Sequence, residues 1–340
     1  MPDAISGRRD EVDAAGGAAA GAPGGVAAGA PGGAVTGAPG APGGAVTGAP
    51  GAPGGAAAGA QIVETATVYA NQGLAPGIYS LTLDAPRIAP LARPGQFVHL
   101  GLGLATAGQD SPHPLRRPFS VYQVGADRRG DFQRLTLLYQ TIGSGTLAIS
   151  RLQPGDAVSL LGPLGRGWQP PVATRRALLV GGGVGFAPLA LLAGALMARS
   201  VEVHALVGAR NLATLNALLG GGLACLPYPD RTQDALLDAR HFIHLATDDG
   251  SAGYHGLNVG LLSDLLAQYD FDYIAACGPE PMQRAVALAA RQHSIYCEVS
   301  LERHMACGIG ACLSCIVQTG SGTQRACLDG PVFDAQEVVW

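Results

Sequence analysis

Four cysteines crowded near the end of this chain constrain its fold more than any other feature. The chain has 340 residues and seven cysteines, and four of the seven fall between Cys307 and Cys327. Counting from Cys307 gives the spacing C-x4-C-x2-C-x11-C, which adds Cys312 and Cys315 to the set. Cysteines at this density form disulfides, hold a zinc ion or hold an iron–sulfur cluster, and each choice dictates how the surrounding loop must fold.

The spacing separates these alternatives only in part. The cysteine count is odd and the chain is too long to need a disulfide framework, which favours a reducing compartment. Zinc remains the main structural alternative, although its cysteines usually come as paired C-x2-C units. The first three cysteines instead match the plant-type [2Fe–2S] spacing, although the fourth is closer than in plant ferredoxins. The glycines of the CGIGAC stretch let backbone amides point at the sulfurs.

The charge composition excludes several classes of function. The net charge is −4 and no basic run exceeds two residues, so the chain has no electrostatic footprint for nucleic acid. All 21 basic residues are arginine, which excludes Schiff-base, Walker A and general-base chemistry by lysine. Acidic residues follow Arg8 and Arg9 where a secretory signal would be apolar, and we therefore expect a cytoplasmic protein.

The residue pattern predicts four regions. Residues 1–60 repeat units such as GAPGG, which is typical of a disordered tail because few large side chains offset the ordering entropy. Residues 61–171 hold many short β-rich runs between turn formers, which predicts an antiparallel barrel. Residues 172–295 alternate strand and helix patterns, which predicts a doubly wound α/β domain that binds a nucleotide. Residues 296–340 form a small cysteine-rich module.

A glycine-rich turn marks the α/β region. The uncharged run around it is long enough to span a membrane, but glycines and a proline interrupt it, and we predict no span. We predict instead a buried strand, a turn containing Gly183 and Gly185, and a helix that includes Pro188, an arrangement that suits a pyrophosphate. A plain glycine turn is the alternative. A second strand ends in Cys277 and Gly278, at the sheet edge where ligands bind in such domains.

Two short motifs in the barrel region suit a flavin. The first offers a cation for a phosphate, an aromatic ring and a hydroxyl for a ring nitrogen; it consists of Arg117, Pro118, Phe119 and Ser120. The second is a turn of small residues suited to phosphate; it consists of Gly143, Ser144, Gly145 and Thr146. Each motif alone is weak evidence for a flavin site, since a strand with an arginine and a phenylalanine usually has no role in binding. Their order before the glycine turn favours a flavoprotein.

Taken in order, R-P-F-S, G-S-G-T, G-x-G-x-x-P and C-G-P resemble the ferredoxin–NADP reductase superfamily over residues 62–295. The resemblance implies an FAD on the barrel and a nicotinamide nucleotide on the α/β domain. By this analogy Arg117 binds the FAD diphosphate, Phe119 packs beside the isoalloxazine and Ser120 lies near its reactive nitrogen. Cys277 would lie near the nicotinamide, and a small buried cysteine is the alternative of equal weight.

The last stretch, SLERHMACGIGACLSC followed by ACLDGPVFDAQEVVW, resembles the electron-transfer subunits of the NAD-dependent, two-subunit dihydroorotate dehydrogenases. That resemblance covers residues 62–340. It implies FAD and a [2Fe–2S] cluster held by the four cysteines, and a catalytic partner with FMN and the orotate site, in an assembly of two of each chain. Electrons would pass from FMN through the cluster and FAD to NAD+ in pyrimidine biosynthesis. We expect NAD rather than NADP, although Arg210 ends a strand where an arginine can meet a 2′-phosphate.

Two other functions are compatible with these residues. The chain can be an NAD(P)H:acceptor reductase that works alone or with another partner, such as a sulfide- or ferredoxin-linked flavoprotein. It can also be a non-enzymatic redox-sensing or zinc-structured module on a degenerate reductase scaffold. The intact R-P-F-S and G-x-G-x-x-P elements argue against degeneracy.

Overall fold

An antiparallel barrel forms the first folded part of the chain. The computed structural model describes residues 61–103, 113–126, 132–220 and 241–340. Six strands close the barrel in the order β1–β2–β5–β4–β3–β6. Alternate residues of each strand face its interior, because side chains on a strand alternate between faces. The strands and the short helix packed on the barrel are β1 (Ile62–Ala75), β2 (Ile78–Asp84), β3 (Phe97–Gly101), β4 (Arg117–Ala126), β5 (Phe132–Gln140), α1 (Ser144–Ile149) and β6 (Ala157–Leu164).

A seven-stranded sheet follows, in the order β10–β9–β8–β7–β11–β12–β15. Its strand pairs are parallel except for β12 with β15. Helices α2 and α3 share a core on one face, and α4 and α5 share a core on the other. The bounds are β7 (Arg176–Gly182), α2 (Ala187–Ala198), β8 (Glu202–Ala209), α3 (Leu212–Gly220), β9 (His241–Thr247), β10 (Tyr254–His255), α4 (Val259–Gln268), β11 (Tyr273–Cys277), α5 (Glu280–Gln292), β12 (Tyr296–Ser300) and β15 (Val332–Asp334).

The chain order of this sheet reverses at β7. From β7 the chain moves outward to β8, β9 and β10, and it then returns to place β11 on the other side of β7. Open α/β sheets bind ligands at such a switch point, in the crevice beyond the carboxyl ends of the strands. The crevice here lies between the ends of β7 and β11.

The cysteine-rich segment lies between β12 and β15. It contains the hairpin of β13 (Ile316–Thr319) and β14 (Gly322–Arg325). One hydrophobic core joins Phe97 of the barrel, α4 and α5 of the sheet, and the buried Cys315 and Cys327. The segment is therefore anchored on both larger parts of the fold.

The predicted fold class is confirmed, with a barrel, a doubly wound sheet and a C-terminal cysteine-rich segment. The region boundaries at 171 and 295 stay predictions. Both β12 and β15, which lie beyond 295, are hydrogen-bonded into the sheet. The predicted tail and Cys225 fall outside the described residues. Over the ranges that are described, none of the helices has the length and apolar character needed to cross a bilayer.

Candidate functional site

The crevice at the switch point is built from two glycine turns in backbone contact. The first turn, Gly183–Phe186, follows β7 as a single 3-10 turn. A Cβ placed on Gly185 would lie 2.6 Å from the Cα of Gly278, so neither turn leaves room for a side chain there. Two buried amides hold this arrangement: Asn258 donates to the Gly181 carbonyl over 3.1 Å, and Gln283 donates to the Gly278 carbonyl over 2.7 Å.

Helix α2 begins immediately after the first turn, as predicted. Pro188 lies in its first turn, where the missing N–H of proline costs no helical hydrogen bond. Its carbonyl accepts a 3.0 Å hydrogen bond from the Trp168 indole, which lies just after the barrel. The helix start that faces the crevice is thereby tied to the segment that joins the two larger parts of the fold.

Cys277 ends β11 beside the crevice, but its thiol lies inside the protein. The residue is 1% exposed and belongs to the core under α2. Burial raises the pKa of this thiol, so it stays protonated and has little nucleophilic character. These observations favour the alternative of a small buried cysteine, and a role beside the nicotinamide stays a prediction.

The R-P-F-S motif begins β4, and strand alternation divides it between two faces. Phe119 pairs with Val98 and packs into the barrel core, where its ring lies edge-on to Tyr139 at a centroid distance of 5.6 Å. Ser120 pairs with Phe97 on the opposite face of the strand. The motif therefore does not present one continuous surface, and the roles of Phe119 and Ser120 beside a flavin stay predictions.

Arg117 and the G-S-G-T turn are brought together. A Cβ on Gly145 would lie 2.1 Å from the Arg117 Nε, so the guanidinium rests on this glycine. The Thr146 hydroxyl accepts hydrogen bonds from the amides of Ile142 at 3.0 Å and Gly143 at 3.2 Å, which fixes the turn. Ser144, the first residue of α1, is exposed beside them. The two predicted flavin motifs thus form one cationic cradle that fits a diphosphate.

The cysteine loop directs backbone amides at its sulfurs. The Cys307 Sγ accepts hydrogen bonds from the amides of Ile309 and Cys312, both at 3.4 Å. The Cys327 Sγ accepts one from Gly310 at 3.1 Å. Hydrogen bonds from Ser314 to the exposed Cys312 lower the pKa of this thiol to about 6. Thiolates are the form that binds metal, so this loop fits the predicted cluster.

The sulfurs of the loop act on one another. Cys312 interacts with Cys307, and Cys327 interacts with Cys315 and with Cys307. Four thiolates this close suit a cluster of two irons or a tetrahedral zinc ion.

An ion pair braces the fourth cysteine. The Asp329 carboxylate accepts hydrogen bonds from the Arg325 Nε at 2.9 Å, from its Nη2 at 3.3 Å and from its backbone amide at 2.9 Å. Burial raises the pKa of Asp329, but the bonds from Arg325 outweigh this and leave the pKa below its usual value. This ion pair spans Cys327, because Arg325 lies two residues before the cysteine and Asp329 two residues after it.

One residue near these sites was not predicted. His99 of β3 is fully buried, and neither ring nitrogen has a hydrogen-bond partner among the residues that the structure describes. A Cβ on Gly308, in the cysteine loop, would lie 2.8–3.1 Å from three atoms of the ring. Burial, reinforced by the Arg116 guanidinium, lowers the pKa of His99 to about 4, so the ring is neutral at physiological pH. A lone polar residue in the apolar run FVHLG is the sequence signal that could have drawn notice.

Comparison with known proteins decides the family. The model of the iron–sulfur cluster binding domain of dihydroorotate dehydrogenase B matches residues 302–339. The dihydroorotate dehydrogenase B (NAD+) electron transfer subunit of Desulforamulus reducens is 36% identical over 279 residues, covering 81% of this chain and 97% of the relative. The subunit of the same name from Geobacillus thermodenitrificans is 38% identical over 283 residues, covering 81% and 98%. The chain belongs to this family of electron transfer subunits.

Membership of the family confirms the predicted resemblance and the predicted role as an electron-transferring oxidoreductase subunit. Among solved structures, an NADH-dependent reduced ferredoxin–NADP oxidoreductase is similar, with a TM-score of 0.66, 27% identity and coverage of 82% of this chain and 90% of that one. The findings together support the predicted cofactor set of FAD, a [2Fe–2S] cluster and NAD. The assignment of individual residues to these cofactors is still a prediction.

Proposed function

We propose that this chain transfers electrons between the FMN of a dihydroorotate dehydrogenase catalytic subunit and NAD, as one of two copies in an assembly of two of each chain in the cytoplasm. The proposal is supported most by the presence of three candidate cofactor sites in one fold. The diphosphate cradle lies on the barrel, the glycine crevice lies at the switch point, and the cysteine loop is anchored on both through a shared core.

The cofactors divide the chemistry between them, because a flavin exchanges a hydride with NAD whereas an iron–sulfur cluster carries one electron at a time. This chain's residues hold and orient them. Arg117 and the turn around Gly145 bind the FAD diphosphate, and Cys307, Cys312, Cys315 and Cys327 hold the cluster. Phe119 would pack behind the isoalloxazine from its place in the barrel core, and the Ser120 hydroxyl would lie near the reactive nitrogen of the flavin. The tail ends at residue 60, the flavin barrel at 171 and the nucleotide-binding domain at 295.

The nucleotide lies over the glycine crevice. Gly183, Gly185 and Gly278 let the protein backbone approach the pyrophosphate. Pro188 fixes the start of the helix beneath it. Gln283 holds the Gly278 turn open through its 2.7 Å hydrogen bond. Cys277 lies directly behind the crevice as a neutral, space-filling side chain.

We expect this crevice to prefer NADH over NADPH by at least about tenfold in kcat/KM, which corresponds to ~1.4 kcal/mol. Arg210 is the candidate for a 2′-phosphate, and it is an exposed residue at the end of β8. Steady-state rates with an artificial electron acceptor check this. An equal or greater rate with NADPH would contradict the assignment of NAD, and Arg210→Ala would then show whether Arg210 is responsible.

An exposed apolar patch surrounds the cysteine loop. Leu313 is 61% exposed, Ile309 45% and Ile316 44%, next to the exposed Cys312. Large apolar side chains grouped on a surface mark an interaction site. We infer that the catalytic subunit docks on this patch, which brings its FMN close to the cluster and excludes water from the path between them.

Leu313→Asp should weaken this docking. A charge buried in the interface without a partner costs several kcal/mol, so we expect binding of the catalytic subunit to fall by at least about tenfold, with the cluster and FAD intact. Isothermal titration with the purified catalytic subunit measures this. Val172→Asp, at a 96% exposed position after the barrel, is the matched control. Equal losses in the two variants would place the docking surface elsewhere.

Co-purification tests the proposal as a whole. The chain, isolated without added partners from its native cells under anaerobic conditions, should bring with it an FMN-containing chain. Flavin typing should then find FAD and FMN, and metal analysis should find iron and no zinc. A fully active chain that co-purifies with no partner would instead favour a stand-alone NAD(P)H:acceptor reductase.

A further inference from the structure

We propose that His99 is a positioning residue for the iron–sulfur cluster, donating a hydrogen bond from its imidazole N–H to a sulfur of the cluster or of Cys307. The inference rests on the proposed function, because it needs a cluster in the cysteine loop. It adds a hydrogen bond from the flavin barrel to a cluster whose four ligands all come from the C-terminal segment.

The ring sits at the junction of the two sites. His99 pairs with Pro118 of the R-P-F-S motif, and its neighbour Phe97 pairs with Ser120. Residues 97 and 99 share one face of β3, and Phe97 lies in the same core as Cys315 and Cys327. The barrel face that carries His99 is therefore the face on which the cysteine loop packs.

The nitrogen-bearing edge of the ring points at the loop. The position that a Cβ would take on Gly308 is 2.8 Å from Cε1, 2.9 Å from Nδ1 and 3.1 Å from Nε2 of His99. Gly308 directly follows Cys307 and has a φ of +72°, so a glycine both turns the loop and makes room for the ring. Any larger residue there would displace the imidazole from the loop.

The ring has a hydrogen bond left to make. Both nitrogens are buried, and neither is satisfied within the described part of the chain. An unsatisfied buried donor destabilises the fold, so such groups in native proteins usually meet a ligand, an ion or a water. The nearby Arg116 is a donor already engaged with the Ser159 carbonyl and hydroxyl, and it cannot accept from His99. The sulfurs of a cluster in this loop are acceptors on the side that the ring faces.

The contact has a predictable effect. Hydrogen bonds to cluster sulfurs help set the reduction potential, because a donor favours the more negative, reduced state. A His99–sulfur bond would therefore raise the cluster potential relative to that of the flavin.

The direct test uses the intact protein with its cluster reduced. Protein labelled with 15N only in histidine should show a 15N hyperfine coupling to the cluster in pulsed EPR. His304, an exposed residue in the same segment, is the other candidate source. The coupling should persist in His304→Gln and disappear in His99→Gln. An intact reduced cluster without histidine coupling, or a coupling lost only in His304→Gln, would overturn the inference.

A potentiometric titration supplies the second readout. His99→Phe removes the donor and should lower the cluster potential so that the equilibrium between cluster and FAD shifts about tenfold, or ~59 mV for one electron. His99→Gln keeps an N–H donor and should recover part of the shift. Thr174→Val, which removes another buried and unpaired polar group, should leave the potential unchanged.

The role of His99 and the presence of the cluster are tested separately. An unchanged cluster potential in His99→Phe, or a shift of the FAD potential alone, would overturn the inference and leave the proposed function standing. Wild-type protein that assembles no [2Fe–2S] cluster at all would overturn the proposed function, and the inference with it.

Discussion

Cys327→Ser should abolish the iron–sulfur cluster while leaving FAD bound. Cys327 is 1% exposed, lies in the core shared by all parts of the fold and accepts a hydrogen bond from Gly310. A serine oxygen is a harder ligand than a thiolate sulfur and forms shorter bonds, so it does not replace the sulfur in a cluster. We expect the iron content to fall to background and the electron flow from dihydroorotate to NAD+ to fall at least ~100-fold. FAD should remain because its cradle lies on the barrel.

Iron analysis, the visible spectrum and flavin content measure this outcome. Cys297→Ser is the matched control, because Cys297 is equally buried, at 1% exposure, but lies in β12 outside the set of four. The control should keep a full cluster. If Cys327→Ser kept a normal cluster, the assignment of the four ligands would be wrong.

Arg117→Ala should remove most of the affinity for FAD. The Arg117 guanidinium rests on Gly145 and is the cation of the proposed diphosphate site. Hydrogen bonds to a charged group contribute about 1.5–3 kcal/mol each, and ~1.4 kcal/mol is a factor of ten, so we expect the Kd for FAD to rise by roughly 10- to 100-fold. Fluorescence titration of the flavin-free protein measures this Kd, and the cluster should be unaffected.

Two further variants sharpen this test. Arg93→Ala removes an exposed arginine elsewhere on the barrel and should leave FAD affinity unchanged. Gly145→Val should act like Arg117→Ala, because a Cβ there would lie 2.1 Å from the Arg117 Nε and displace the guanidinium. If Arg117→Ala bound FAD as tightly as Arg93→Ala, the cradle would not be the diphosphate site.

The sequence predicted the local elements of the two larger parts well, because each depends on neighbouring residues. The strand, glycine turn and helix around Gly183 and Pro188 are present in the predicted order. The pairing of Arg117 with the G-S-G-T turn joins two motifs that were predicted to serve one ligand. The first follows from turn chemistry and strand pattern that can be read within a few residues, whereas the second was expected only because both motifs suit the same ligand.

The features that the sequence did not predict depend on tertiary packing. Strand alternation divides the R-P-F-S motif between two faces of β4, and only one of these faces the barrel core. Cys277 is buried because α2 covers the end of β11. His99 gains its significance only when the barrel meets Gly308, a residue distant in sequence. The strand β15 has only three residues, too few for a periodic pattern to indicate that it joins the sheet.

The anaerobic formation of NADH from NAD+ and dihydroorotate by this chain, mixed with the FMN-containing catalytic subunit from the same cells, tests the transfer of electrons between the two chains. We predict that NADH forms only when both chains are present, that the rate saturates at one chain of each kind, and that Cys327→Ser removes it. NADH formation by the catalytic subunit alone, or no NADH from a mixture in which both chains carry their cofactors, would contradict the account.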